Sequence, residues 1–517
     1  LMRYTLALFA LPLVTVNGRV RSIDHPRGNA LAYLGGYNYK AATLNKHLSE
    51  LKYLQVSNDL IATTARFWIE FWSKRNRGEA LFACYYLDGH TKALWSSKSC
   101  YKGKVTMLGR IMNCLEQVFI HDGQGHPIYF RTFNGHADLG MHVLSMMDRI
   151  SGYLKETTNT DTDAQLSVNR ILIFDGGSNG VRTLRGLCTS DYHFITILDA
   201  NQVTERKIKA VSQEKRYEYG EARLVDCAIE LEDSHEHGYL FEIRAVQVHW
   251  DNGRLAVLIT SLSSNIFSPD NVVKSYFDRW PMQELNFKEM KSRVNIHRVV
   301  GYGKKVVNNT SVLEKIKRLQ RQIHELEQAL EKPLHEMSTV EERLHARIKE
   351  ERMYREMSQV VDGERTLSEA DAPIFQEIQR DINRLKRKIR EIKNGDVKRF
   401  TALKKKRTEL ARIIDKKKLY RVDVELDQIM TCFKISFANI CCYLLEECFN
   451  GENMTLHRLF ETIFELRGQM QFEGEQRNIY IKRNPKQKAL MKKLDHAFDV
   501  INHMRIADIN GYTYHFT

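Results

Sequence analysis

Three carboxylates stand where two strands and a helix would bring them together. Asp88 closes the run Tyr85-Tyr86-Leu87-Asp88-Gly89, and Asp175 closes Ile173-Phe174-Asp175-Gly176-Gly177. Each follows an apolar, strand-like stretch and precedes glycine, a place from which a side chain reaches the edge of a sheet. Asp-Gly is also a common turn dipeptide, so each also reads as a turn former. Glu284 lies in the segment from Tyr276 to Lys291, which reads as one helix with Glu284, Phe287, Lys288 and Lys291 on one side. Alone, that helix is an ion-pair ladder. Together with Asp88 and Asp175, Glu284 completes an acidic trio of the kind a two-metal phosphoryl-transfer site needs. Oxygen ligands of this type suit Mg²⁺ or Mn²⁺.

The elements that must position these residues follow from periodicity. Residues 1–76 read as a helical N-terminal region, with Leu44, Leu48 and Leu51 at helical spacing after the breaker Gly35-Gly36. It is a candidate DNA-binding unit, although no helix-turn-helix spacing is present. Ala80 to Leu87 reads as a strand ending at Asp88. Glu116 to His121 and Pro127 to Thr132 flank Asp122-Gly123-Gln124-Gly125, a hairpin signal. A helix over about 138–156 precedes Arg170 to Phe174, whose unbroken apolar character fits a strand buried on both faces. Tyr192 to Leu198 is the next strand. This order resembles the opening of an RNase H-like α/β fold, which sets a catalytic domain at 77–300. Strand candidates at Ala222 to Glu230, Tyr239 to Val248 and Leu255 to Ser261 read as a β-rich insertion over about 199–268.

Residues 301–420 are charge-dense and poor in aromatics. Val312, Ile316, Leu319, Ile323, Leu326 and Leu330 follow a heptad pattern that Pro333 is expected to end. Ile378, Ile382, Leu385, Ile389 and Ile392 repeat it, so an antiparallel coiled-coil hairpin is expected. Lys398 to Lys418 holds ten Lys or Arg against two acids, enough to favour contact with a DNA backbone over a merely solvated face. Residues 421–517 read as a helical C-terminal region with a short strand at Asn478 to Lys482.

With 78 Lys and Arg against 64 Asp and Glu, the net charge is +14, which favours nucleic acid first and an acidic membrane surface second. None of the nine cysteines forms a C-x-x-C pair, which argues against a disulfide framework or a zinc ribbon. Cys432, Cys441, Cys442 and Cys448 read as small buried residues of a helix. The apolar run from Thr5 to Val16 is too short to span a bilayer, so a cytoplasmic protein with no membrane partner is expected. The opening residue Leu1 suits a fragment. His90 and His121 read as structural, and His235 and His237 as solvated loop residues.

Tyr276, Arg279, Glu284 and Lys291 resemble the Tyr-Arg-Glu-Lys motif of DDE transposases of the cut-and-paste insertion-sequence type. Trp280 after the arginine and Phe287-Lys288 after the acid strengthen the likeness, as does Leu258-Ile259-Thr260-Ser261 before the helix. One departure is plain: four residues separate Arg279 from Glu284 where the motif has three, while the six-residue gap to Lys291 is kept. The likeness covers about residues 80–300 and leaves the coiled coil unexplained. It implies an RNase H-like core in which Asp88, Asp175 and Glu284 bind two Mg²⁺ or Mn²⁺ ions. It also implies hydrolysis at transposon ends followed by attack of a 3′-hydroxyl on target DNA. Tyr276, Arg279, Lys288 and Lys291 would contact DNA phosphates, and Trp280 reads either as a stacking platform for an exposed base or as a core aromatic. The partners implied are double-stranded DNA (terminal inverted repeats and target) and a second copy of the chain, in a prokaryotic, nucleoid-associated setting. The alternatives are a non-catalytic DNA-binding scaffold and an RNase H-like nuclease without strand transfer.

Overall fold

The computed structural model describes residues 2–14, 20–24, 39–75, 84–137, 139–158, 170–199, 215–219, 222–232, 240–357, 359–361, 364–368, 370–449, 454–484, 487–508 and 510–517. The fold is mixed α/β and divides into two compact units, Leu1–Lys305 with Arg421–Thr517, and Val306–Tyr420.

The first unit is built on one ten-stranded mixed sheet. Its centre comprises β1 (Cys84–Ala93), β3 (Arg110–His121), β4 (Pro127–Asn134), β5 (Arg170–Phe174) and β6 (Tyr192–Ile197). β3 runs antiparallel to both β1 and β4, whereas β1, β5 and β6 are mutually parallel. A short β2 (Lys102–Val105), not expected from the sequence, pairs with the start of β3. β1 does not end at Asp88, because Gly89 stays in register with Val118 and the strand runs on to Ala93. Residues 80–83 of the expected strand lie outside the described residues.

The β-rich segment continues the main sheet. β10 (Leu255–Thr260) pairs with β6, and β9 (Leu240–Trp250), β8 (Ala222–Glu232) and β7 (Lys215–Tyr219) follow outward in the same sheet. Alternating apolar residues on β10 and β6 fill cores on both sides, which makes continuation of the sheet the favourable outcome. His235 and His237 lie outside the described residues, as does Gly35-Gly36.

Strand alternation sorts the side chains into two layers. Leu87, Leu172, Phe174 and Phe194 face a core shared with α3 (Ser57–Arg75), α4 (Leu139–Thr158) and α12 (Glu425–Cys448). Tyr86, Ile173, Ile195 and Leu258 face the other side, covered by Val272, Val273 and Tyr276 of α6 (Pro269–Arg279). The C-terminal region therefore supplies part of this core. α12 is long and apolar enough to cross a membrane, yet most of it is buried in this core. Cys432, Cys441, Cys442 and Cys448 are buried along it. The expected short strand is Gln476–Ile481 in a three-stranded sheet.

In the second unit, α8 (Thr310–Ala329) packs on α11 (Val397–Ile413), and α9 (Glu331–Met357) on α10 (Asp371–Gly395). Ile316 and Leu319 meet Ile413, while Ile323 and Leu330 meet Leu403, so the first pair is antiparallel. Pro333 does not end the arm. It sits in the first turn of α9, where a missing N–H costs nothing, and the break falls at Leu330.

Candidate functional site

Register alone places two of the acids side by side. Leu87 pairs with Phe174 on the parallel strands β1 and β5, so Asp88 and Asp175 take the next step together. Adjacent strands lie about 4.8 Å apart, and register partners point to the same face. That face is the one holding Tyr86 and Ile173, two residues earlier, and it lies under α6. Asp175 does form a turn, accepting a 2.8 Å hydrogen bond from the Gly176 N–H, whereas Asp88 stays within its strand.

Glu284 reaches this face on an interrupted helix. α6 ends at Arg279, Trp280–Glu284 form a single π turn, and α7 (Leu285–Arg293) continues beyond. The Leu285 N–H donates to the Trp280 carbonyl, five residues back. A π turn is an α-helix with one residue added, so it absorbs the extra residue between Arg279 and Glu284. Pro281 has no N–H to give to an α-helical partner, which favours the wider turn. The β3–β4 hairpin turn abuts it: Gly125 has φ +86°, and a Cβ there would collide with the Met282 carbonyl oxygen. Without a side chain, Gly125 lets the two backbones touch.

The side chains then interlock. Arg279 Nη2 lies 2.6 Å from Glu284 Oε1, and its guanidinium carbon stands 5.5 Å from the centre of the Tyr276 ring. Lys291 Nζ lies 3.5 Å from Asp88 Oδ2 and 4.2 Å from the Phe287 ring centre. Burial raises the pKa of Glu284 against the pull of Arg279, and the charges of Asp88 and Asp175 push it further up. The three acids therefore share one electrostatic neighbourhood. Burial, with Asp175 and Glu284 adding to it, pushes Tyr276 up to about 12. Arg279 and Tyr276 are buried, and among the described residues Arg279 Nη1 has no hydrogen-bond partner.

No family model matches this chain. Nor does any curated protein match it significantly.

Lys288 is exposed while its neighbours Phe287 and Met290 are buried. Arg279 is 6 % exposed and committed to Glu284. Trp280 is 59 % exposed, which removes the core reading and leaves its ring free to stack. Sequence reasoning missed Gln283, which is fully buried with Nε2 3.4 Å from Asp88 Oδ2 and with Oε1 unpartnered among the described residues. It also missed Asp199. A methyl group on Gly176 would lie 2.6 Å from Asp199 Oδ1, so a fourth carboxylate borders Asp175. The signal was available, since Asp199 follows an apolar strand much as Asp175 does. His90 and His121, expected to be structural, are buried against Phe287. Burial brings the pKa of His121 down to about 3.

The all-oxygen donor set fits a hard divalent cation, and the carboxylate repulsion felt at Glu284 is what such a cation relieves. Among the described residues, however, no three His, Cys, Asp or Glu side chains converge closely enough to hold one as they stand. Glu284 is drawn onto Arg279 instead.

Proposed function

We propose that this protein is a DDE transposase with an RNase H-like catalytic core, cleaving DNA at transposon ends and joining the freed 3′-hydroxyl to target DNA. The carrying observation is that Asp88 and Asp175 each directly follow the last register pair of two parallel strands, Leu87 and Phe174, and that both act electrostatically on Glu284. The strand order β4-β3-β1-β5-β6, antiparallel and then parallel, supports the RNase H-like reading. The π turn supports the motif assignment, since it accommodates the one residue by which this chain departs from it.

Asp88, Asp175 and Glu284 would hold two Mg²⁺ or Mn²⁺ ions, whose chemistry is Lewis-acid polarisation of the reacting phosphate and lowering of a bound water's pKa. The chain's own residues supply the rest. Arg279 neutralises Glu284 and keeps Nη1 unpartnered among the described residues, a donor suited to a phosphate oxygen. Lys291 balances Asp88 from the next turns of the same interrupted helix. Trp280 offers an exposed ring beside the acids in sequence. The partners are duplex DNA and, in the paired-end complex, a second copy of the chain; the setting is nucleoid-associated.

The test uses purified protein and a plasmid carrying the sequences that flank its gene, with Mg²⁺ or Mn²⁺. Asp88→Asn, Asp175→Asn and Glu284→Gln should each lower strand cleavage by about 10³-fold or more while DNA affinity stays near wild type. Full cleavage by any of the three would remove that residue from the site. One observation favours a second reading, a non-catalytic DNA-binding scaffold: the three acids do not converge at ligand distance. Complete absence of metal-dependent cleavage by the wild type would select it. Cleavage without joined products would select a nuclease.

A further inference from the structure

A cavity of about 810 Å³ opens on the first unit, and none of the three candidate acids lines it. Its wall includes Arg21 on a short helical turn, Trp95 just beyond β1, the loop residues His297, Arg298 and Tyr302 after α7, and Lys434 on α12. None of the described residues lining it is Asp or Glu. Asp427, whose Oδ1 accepts from the N–H of the lining residue Val300 at 2.9 Å, is already engaged by Lys92 at 2.8 Å and Gln117 at 3.0 Å.

The cations crowd one another. Lys434 is 4 % exposed and donates to the Asn295 carbonyl at 2.6 Å. Burial first, and then the charge of Lys92, brings its pKa down to about 7, with Asp427 opposing and Arg298 adding to the fall. Burial also lowers His297, helped by Arg298, Lys434 and Lys92. Positive groups held this close are relieved by an anion bound among them.

The mouth is aromatic. Trp95 is 63 % exposed and Tyr302 54 % exposed, each with a cation over its ring: Arg110 at 5.3 Å and Lys304 at 5.8 Å. A large exposed aromatic costs solvation unless something flat covers it, and a nucleobase is flat, apolar on its faces and attached to a phosphate. The volume is within the range of small-ligand sites. We propose that this cavity binds a nucleotide unit, its phosphate held by Arg21, Arg298 and Lys434 and its base stacked on Trp95 or Tyr302. Bases inside a duplex have both faces covered, so the unit is either a free nucleotide or an unpaired nucleotide of a strand.

The test titrates the full-length protein, in EDTA, with adenosine 5′-monophosphate, a short single-stranded oligodeoxynucleotide and inorganic phosphate, following tryptophan fluorescence. Saturable quenching is expected, lost in Trp95→Ala and weakened about tenfold or more in Arg298→Gln and Tyr302→Ala. Melting temperatures of the three variants verify that they fold. Binding of the mononucleotide supports a free ligand, and binding of the oligonucleotide alone supports an unpaired nucleotide in a strand. No binding of either nucleotide probe overturns the proposal, as does wild-type affinity in both Trp95→Ala and Arg298→Gln. The Asp88→Asn variant should bind the probe with full affinity; loss of binding there would place the probe among the carboxylates and overturn the proposal. Because the readout needs neither metal nor cleavage, its failure is distinguishable from failure of the transposase reading.

Discussion

At Gly125 one missing methyl group decides whether a hairpin can touch the turn that presents Glu284. A Cβ there would meet the Met282 carbonyl oxygen, and the backbone sits at φ +86°. Gly125→Ala is therefore expected to lose about 1–3 kcal/mol of stability from strain and displacement. It should also lower cleavage more than an equally destabilising change elsewhere, because Met282 and Gln283 move with the clash. A chemical denaturation curve beside a cleavage assay checks both; wild-type behaviour in each would mean that the hairpin does not hold the turn. The same scale explains why the motif alone suggests that Arg279 is a free phosphate ligand. The motif gives its identity, but only packing shows that it is buried and paired with Glu284.

At the scale of elements, the π turn and the charged arm matter most. The extra residue before Glu284 was legible in the sequence, and so was Pro281, but their joint consequence required a helix with contacts on both sides. The arm repeats this lesson in charge. Across residues 306–330 and 396–420, 14 Lys and Arg stand against 6 Asp and Glu, whereas across 331–395 the two are equal at 14 each. Most of the excess lies on α11, with seven Lys and Arg against one acid, although ion pairs such as Lys315–Glu409 neutralise part of it. Lys398, Lys405 and Arg412 are exposed at seven-residue spacing, which puts them on one face of α11. Replacing all three by Gln should reduce the slope of log affinity for duplex DNA against log salt concentration by up to about 3, roughly one for each phosphate no longer neutralised. An unchanged slope would make this face merely solvated.

At the scale of the whole chain, polar clamps fasten the C-terminal helix α12 to the sheet within the first unit. His126 stacks on Trp72 with ring centres 3.7 Å apart and bridges Asp122 and Glu446, each at 2.8 Å. Burial opposes its protonation, but Asp122 and Glu446 outweigh that and raise its pKa to about 9. An unfolded imidazole titrates near 6.5. The folded value is the higher one, so the stabilisation is full below about 6.5 and fades as pH rises through about 9. Its size is on the order of 3 kcal/mol. Melting temperatures across that window should fall in the wild type and stay flatter in His126→Gln; parallel curves would rule out the clamp.

The sequence by itself determined the element types, the heptad arm, the net charge and the identities of the three acids, because periodicity and strand-end position are local properties. It did not determine that β7–β10 extend the main sheet, that α12 is core, or that Glu284 pairs with Arg279. Those depend on which surfaces meet across hundreds of residues, and an apolar strand or helix looks the same whichever apolar partner it finds. Asp88 and Asp175 were visible as residues from the start. That they stand side by side was decided by a parallel pairing whose register no single segment encodes.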